Sequence, residues 1–178
     1  MRTRVIAIGQ RAAGDDGVGP AVLDHLTRAA RNAGPRDGAA GERSGPGDSS
    51  GSLESAGPQR GVEFCEAADA TELISLLQCD GAVILIDAFV GEEPPGTVRE
   101  IPVEILDEAR TTPVSSHGMS VRQAVDLARI LSPERVSASI RIVGVSIARP
   151  MDRSFGLSPA VARAVPRAAG AVMGMLGD

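Results

Sequence analysis

Residues 4–26, RVIAIGQRAAGDDGVGPAVLDHL, decide the fold class. Val5-Ile6-Ala7-Ile8 is a continuous apolar run, which reads as a strand covered on both faces rather than on one. Gly9 closes it. Beyond a glycine-rich turn, Val18, Val22, Leu26 and Ala29 return at helical spacing, and Pro20 is tolerated because it falls in the first turn. His25 lies off that stripe. Strand, turn and helix in this order open an α/β domain built on a parallel sheet.

The rest of the chain repeats the theme. Val83-Ile84-Leu85-Ile86 is a second continuous run, closed by Asp87-Ala88, and with Val5–Ile8 makes the two central strands. Ile140-Arg141-Ile142-Val143-Gly144-Val145 is a third run of this kind. Val62-Glu63-Phe64 and Thr97-Val98-Arg99-Glu100-Ile101 alternate in period two and belong nearer the edges. Between them, Leu73, Leu76 and Leu77 predict a short helix. Val121, Ala124, Val125, Ala128 and Leu131 predict another, opened by Ser120 and Gln123 as a capping box. Ser158-Pro159 is an N-cap and first-turn pair for a last helix carrying Val161, Val165, Ala168, Val172 and Met175 on one face. Pro166 inside it should kink or split that helix. The expectation is one α/β domain over residues 1–178, with a mostly parallel five-stranded sheet flanked by helices on both faces.

Residues 33–61 break the pattern. Gly, Pro, Ser and charge dominate there, and Leu53 is the one large apolar side chain, too little burial to offset the entropy of ordering. The stretch reads as a flexible surface insertion, which costs only about 0.6 kcal/mol per doubling of loop length.

Composition excludes several function classes. Formal charge is −5, with no Trp, no Tyr and three Phe, so the chain lacks both the basic stripe and the stacking platform of nucleic-acid binders. Cys65 and Cys79 have no zinc-ribbon or CxxC spacing and suit a reducing compartment. The apolar run after Met1-Arg2-Thr3-Arg4 is too short for a signal h-region or a membrane span. The expected protein is soluble and cytoplasmic, with no nucleic-acid partner and no membrane insertion.

Three polar residues stand where apolar runs end and a turn or helix begins, the place where α/β proteins gather their chemistry. Asp16 lies in Gly14-Asp15-Asp16-Gly17-Val18-Gly19, Asp87 ends the second buried run, and His117 lies in Ser115-Ser116-His117-Gly118-Met119 ahead of a helix. Each has an ordinary explanation: Asp15 or Asp16 as a helix cap, with Asp15 the better candidate, Asp87 as a hydrogen-bonded turn former, and His117 as a surface residue. Two carboxylates and an imidazole on one rim would instead make a three-ligand site for a divalent first-row metal with a position left open. The glycine turn is not a dinucleotide site, because its spacing is not GxGxxG and its Asp pair would face a pyrophosphate.

Taken together, Val5-Ile6-Ala7-Ile8-Gly9, Gly14-Asp15-Asp16-Gly17-Val18-Gly19-Pro20, Ile86-Asp87-Ala88 with Pro95-Gly96-Thr97, Ser116-His117-Gly118, and Gly144-Val145 through Gly156-Leu157-Ser158-Pro159 resemble the hydrogenase maturation endopeptidases. That family trims the C-terminal extension from the large subunit of nickel-iron hydrogenases. The resemblance covers nearly the whole chain outside 33–61 and implies a twisted sheet flanked by helices. It implies Asp16, Asp87 and His117 as catalytic and metal-binding residues, nickel carried by the large-subunit precursor as the metal, with another divalent ion as the alternative, and that precursor as partner. Three positions depart from the family pattern. Gln10 stands where asparagine is typical, Glu66-Ala67-Ala68-Asp69 replaces a glycine- and threonine-bearing turn, and Asp16 stands where some relatives use Glu.

No Gly-x-Ser-x-Gly elbow, His-Glu-x-x-His helix or interpretable Cys–His pair is present, so attack by water is the simplest route. Asp15 is expected to support the ligands as a cap or second acceptor. Two other classes compete: a non-catalytic maturation chaperone or metal-sensing adaptor on the same fold, and a nucleotide- or nucleoside-handling α/β enzyme.

Overall fold

The computed structural model describes residues 2–32, 61–103, 112–113 (main chain only), 119–149 and 155–177. Most of the expected flexible insertion, residues 33–60, lies outside them, as does His117. In chain order the elements are β1 (Thr3–Ile8), a 3-10 turn (Gly14–Gly17), α1 (Val18–Asn32), β2 (Val62–Ala67), α2 (Ala70–Leu76), β3 (Val83–Val90), β4 (Val98–Pro102), β5 (Thr112–Pro113), α3 (Val121–Leu131), β6 (Ile140–Ser146) and α4 (Pro159–Gly177).

Five strands form the sheet in the order β2-β1-β3-β6-β4. All neighbours are parallel except β4, which runs antiparallel to β6 at one edge. The two alternating segments are indeed the edges, and the continuous runs lie inside. The two-residue β5 adds an antiparallel pairing to the end of β3, Phe89 opposite Pro113 and Val90 opposite Thr112, which the sequence reading did not anticipate.

The continuous runs are apolar throughout because alternate side chains enter different cores. Val5, Ala7, Ile84, Ile86, Val143 and Val145 face α1 and α4. Ile6, Ile8, Val83, Leu85, Ile140 and Ile142 face α2 and α3. Each Val, Leu or Ile among them, fully buried, contributes roughly 1.5–3 kcal/mol, so the two cores lock the register of the interior strands against a one-residue slip.

The helices begin largely as their sequences direct. Asp69 accepts N–H bonds from Thr71 and Glu72 at the start of α2, and Ser120 and Gln123 form the reciprocal capping box of α3. Two stripes end earlier than expected. Ala29 is exposed in the last turn of α1 and Leu131 in the last turn of α3, while Leu23 joins the core instead. Pro166 does not split α4, which is one continuous helix from Pro159 to Gly177. Its ring lies on the exposed side, and Val161, Ala164, Ala168 and Val172, before and after it, are all held in the same core. No helix among the described residues is long and apolar enough to cross a membrane.

The connections create a crevice. From β1 the chain crosses through α1 to β2 on one side, then returns through α2 to β3 on the other side of β1. Ligands bind where strand order reverses in this way, outside the carboxyl ends of the two strands. Here those are the ends of β1 and β3.

Candidate active site

Asp87, on β3, and Asp16, in the turn after β1, stand on the two sides of that crevice. Asp87 lies within β3, five positions into Val83–Val90 and in register with Gly144 of β6. Asp16 lies in the 3-10 turn that follows β1. Two glycines bring the turn down onto the sheet. Gly19, in the first turn of α1, lies so close to the ends of β1 and β3 that a Cβ there would stand 2.4 Å from the Ile8 carbonyl oxygen and 2.9 Å from that of Ile86. Gly9 has φ +121°, and a Cβ on it would come within 2.1 Å of the Asp16 carbonyl oxygen. Only a residue without a side chain lets the 3-10 turn fold back over the end of β1. Gly9→Ala is therefore expected to cost about 2 kcal/mol, from a backbone conformation L-residues avoid and the clash with Asp16; a lowered urea midpoint at unchanged m-value checks this.

The hydrogen bonds fix each carboxylate differently. Asp16 Oδ2 accepts from the Gln10 main-chain N–H at 2.9 Å, so the turn is closed by the backbone at position 10 and its side-chain departure from asparagine leaves this bond intact. Asp87 Oδ1 accepts from the adjacent Ala88 N–H at 2.8 Å. Burial pushes the Asp87 carboxyl up to about 7, the Ala88 N–H works against that rise, and the negative charge of Asp16 adds to it. Asp16 therefore lies near enough to Asp87 for its charge to act there. Groups perturbed by desolvation and a like charge in a crevice are characteristic of functional sites.

Asp15 departs from the expectation that it caps its own turn. The 3-10 turn begins at Ala13 without any side-chain cap. Asp15 Oδ1 instead accepts from the Ser158 N–H at 2.6 Å, 143 positions away. Ser158 Oγ in turn accepts from Val161 N–H at the start of α4. The carboxylate thus fastens the entrance of α4 to the rim, next to Asp16. The loop after β3 is held to the same helix: Arg167 donates to the Gly96 carbonyl at 2.7 Å, and Gly96, at φ +86°, leaves the room that a Cβ would take from the Ala160 carbonyl, 2.5 Å away.

A third arrangement was not read from the sequence. Arg11, in the glycine-rich loop, bridges Asp24 of α1 at 2.7 Å and Glu66 at the end of β2. Its guanidinium bonds hold the Asp24 carboxyl below the ordinary carboxylate range. All three side chains are well exposed, so the bridge defines loop geometry more than stability. Glu66 belongs to the segment that replaces the glycine-bearing turn, and no local pattern ties it to Arg11.

The structure thus joins two of the three expected site residues, Asp16 and Asp87; His117 is outside the described residues. Among the described residues no group of three or more His, Cys, Asp or Glu side chains forms a metal cage. The rim can hold an electrophile or cation against two carboxylates, one of them desolvated enough to exchange a proton near neutrality.

An open, mostly parallel α/β sheet with paired acids at its strand-order reversal is the class of molecule defined here, and its fold is that of the maturation peptidases. The hydrogenase maturating endopeptidase HybD from E. coli superimposes with a TM-score of 0.70 at 19% identity, over 99% of this chain and 92% of that one. The [NiFe] hydrogenase maturation protease HybD from Thermococcus kodakarensis gives 0.62 at 18% identity, over 98% and 99%. A hydrogenase 2 maturation peptidase from a Thaumarchaeota archaeon gives 0.58 at 24% identity, with 99% of each chain covered. Among curated proteins no sequence matches significantly. The family pattern of the HycI hydrogenase maturation proteases matches residues 57–175. The chain belongs to that family of proteases.

Proposed function

We propose that this protease removes the C-terminal extension of a nickel-iron hydrogenase large-subunit precursor after nickel has been inserted, and that Asp16, Asp87 and His117 recognise the metal. The observation carrying the proposal is the meeting of Asp16 and Asp87 across the switch point, with Asp87 desolvated and repelled by its neighbour. Two carboxylates held in that state gain most from a cation between them, because it relieves the repulsion and offsets the lost hydration.

Nickel is cargo of the substrate in this reading and the protease is its inspector. Carboxylate oxygens and an imidazole nitrogen suit a borderline divalent ion and leave coordination positions to the precursor's own ligands. The bound ion would supply Lewis-acid polarisation of the scissile carbonyl or of an attacking water. The cytoplasm, where precursors are assembled, is the matching compartment.

Incubation with nickel-loaded and nickel-free precursor tests this. A truncated product from the loaded form alone, seen as a mass loss equal to the extension, is the expected result. Stable complex formation without truncation would make the chain an adaptor, and equal trimming of both forms would remove the metal from recognition.

A further inference from the structure

We propose that Arg11 is a positioning residue of the candidate site: by gripping Asp24 of α1 and Glu66 of β2 together, its guanidinium holds the loop whose Gln10 N–H orients the Asp16 carboxylate. The kinetic side of the proposal rests on the processing role above, and the geometric side stands without it.

Residues 10–13, between β1 and the 3-10 turn, are all exposed and place no side chain in either core. Burial therefore does little to fix them, and the bonds from Ala13 N–H to the Gln10 carbonyl and from Asp16 N–H to the Ala13 carbonyl are internal to the turn. Arg11 supplies the side-chain link to the rest of the fold. Its guanidinium donates to both oxygens of Asp24, at 2.7 and 3.0 Å, and to both oxygens of Glu66, through Nε at 3.1 Å and through Nη2. Paired bonds to each carboxylate define both the plane of the guanidinium and its distance from the two partners. Those partners belong to fixed elements: Asp24 adjoins buried Leu23 on α1, and Glu66 precedes buried Ala67 on β2 and lies in register with Ala7 of β1. One arginine thus fastens the loop to a helix and a strand at once.

The same loop supports Asp16. The Gln10 N–H, one residue before Arg11, donates to Asp16 Oδ2 at 2.9 Å. The main-chain oxygens of Gln10 and Arg11 lie so close to Gly17, the residue after Asp16, that a Cβ there would stand 3.2 Å from each. A shift of residues 10 and 11 is therefore passed to Asp16 through its carboxylate and through its neighbour's main chain. Exposed ion pairs contribute little to global stability, whereas displacing a reacting group by about 1 Å can cost about a hundredfold in rate. The bridge acts on the site more than on the fold.

The test pairs amide hydrogen exchange at Gln10 in the metal-free protein with steady-state trimming of nickel-loaded precursor. In Arg11→Ala the Gln10 amide should exchange about fivefold faster or more, kcat should fall about tenfold or more with KM within about threefold, and the thermal midpoint should stay within about 4 °C. The double variant Asp24→Asn, Glu66→Gln should reproduce the kcat loss, and adding Arg11→Ala to it should lower kcat by less than about twofold further, because the three side chains act as one unit. Unchanged exchange at Gln10 overturns the proposal, as does faster exchange with an unchanged kcat. A raised KM at constant kcat, or kcat losses that multiply when the variants are combined, would mean that Arg11 touches the substrate itself and also overturns it. If the wild-type protein trims nothing, the processing role falls, and Gln10 exchange alone decides whether Arg11 orients Asp16.

Discussion

Alanine at Asp16, Asp87 or His117 is expected to lower trimming of the nickel-loaded precursor by about a thousandfold or more, with little loss of folded protein. The magnitude follows from the several kcal/mol that a correctly held metal contributes to a hydrolytic barrier, since about 4 kcal/mol is three decades in rate. The fold survives because neither Asp16 nor Asp87 fills a core. Asp16 gives up one main-chain hydrogen bond, from Gln10, worth about 1 kcal/mol, and Asp87 gives up one from Ala88. Initial rates from a gel or mass assay, with far-ultraviolet circular dichroism of each variant, supply the comparison. Any one of the variants trimming within tenfold of wild type removes that residue from the site.

Asp87→Asn makes the metal-free protein more stable above neutral pH while destroying its activity. The carboxyl titrates near 7 when folded and near 4 when unfolded. Between those values the folded state holds the proton and the unfolded state does not, so stability falls as pH rises through that window and levels off above it. The contribution is fully present below about pH 4 and is lost by about pH 8. Three pH units amount to about 4 kcal/mol as an upper figure, or on the order of 10 °C in a domain of this size. Asn cannot ionise and escapes the loss. Denaturation midpoints in chelator at pH 5 and pH 8 should show the Asn variant's advantage growing toward pH 8; parallel curves for the two proteins would show that Asp87 is not desolvated.

Much of this was legible in the residues alone. Unbroken apolar runs at Val5–Ile8, Val83–Ile86 and Ile140–Val145 announced strands with helices on both sides, because no other environment suits consecutive large apolar side chains of that length. The alternating runs at Val62 and Val98 announced the edges. Asp16 and Asp87 were visible because a charge at the end of an apolar run needs a reason. The contacts that assemble the rim were less visible. The bond from Ser158 to Asp15 joins opposite ends of the chain, and nothing local at either residue encodes a partner so distant. Pro166 misled for a related reason: its effect depends on which side of α4 its ring occupies, and the core residues on both sides of it override a local preference. Arg11 was passed over because a lone arginine in a loop has no periodicity to read.

Because α1 starts above the carboxyl ends of the strands and β2 runs parallel to β1, Asn32 and Gly61 must both sit at the floor of the sheet, a full strand length away from the acids. The chain therefore leaves and re-enters the sheet at the end away from the acids, and a fluorophore or affinity handle attached at Asn32 or Gly61 would start a strand length from the candidate site.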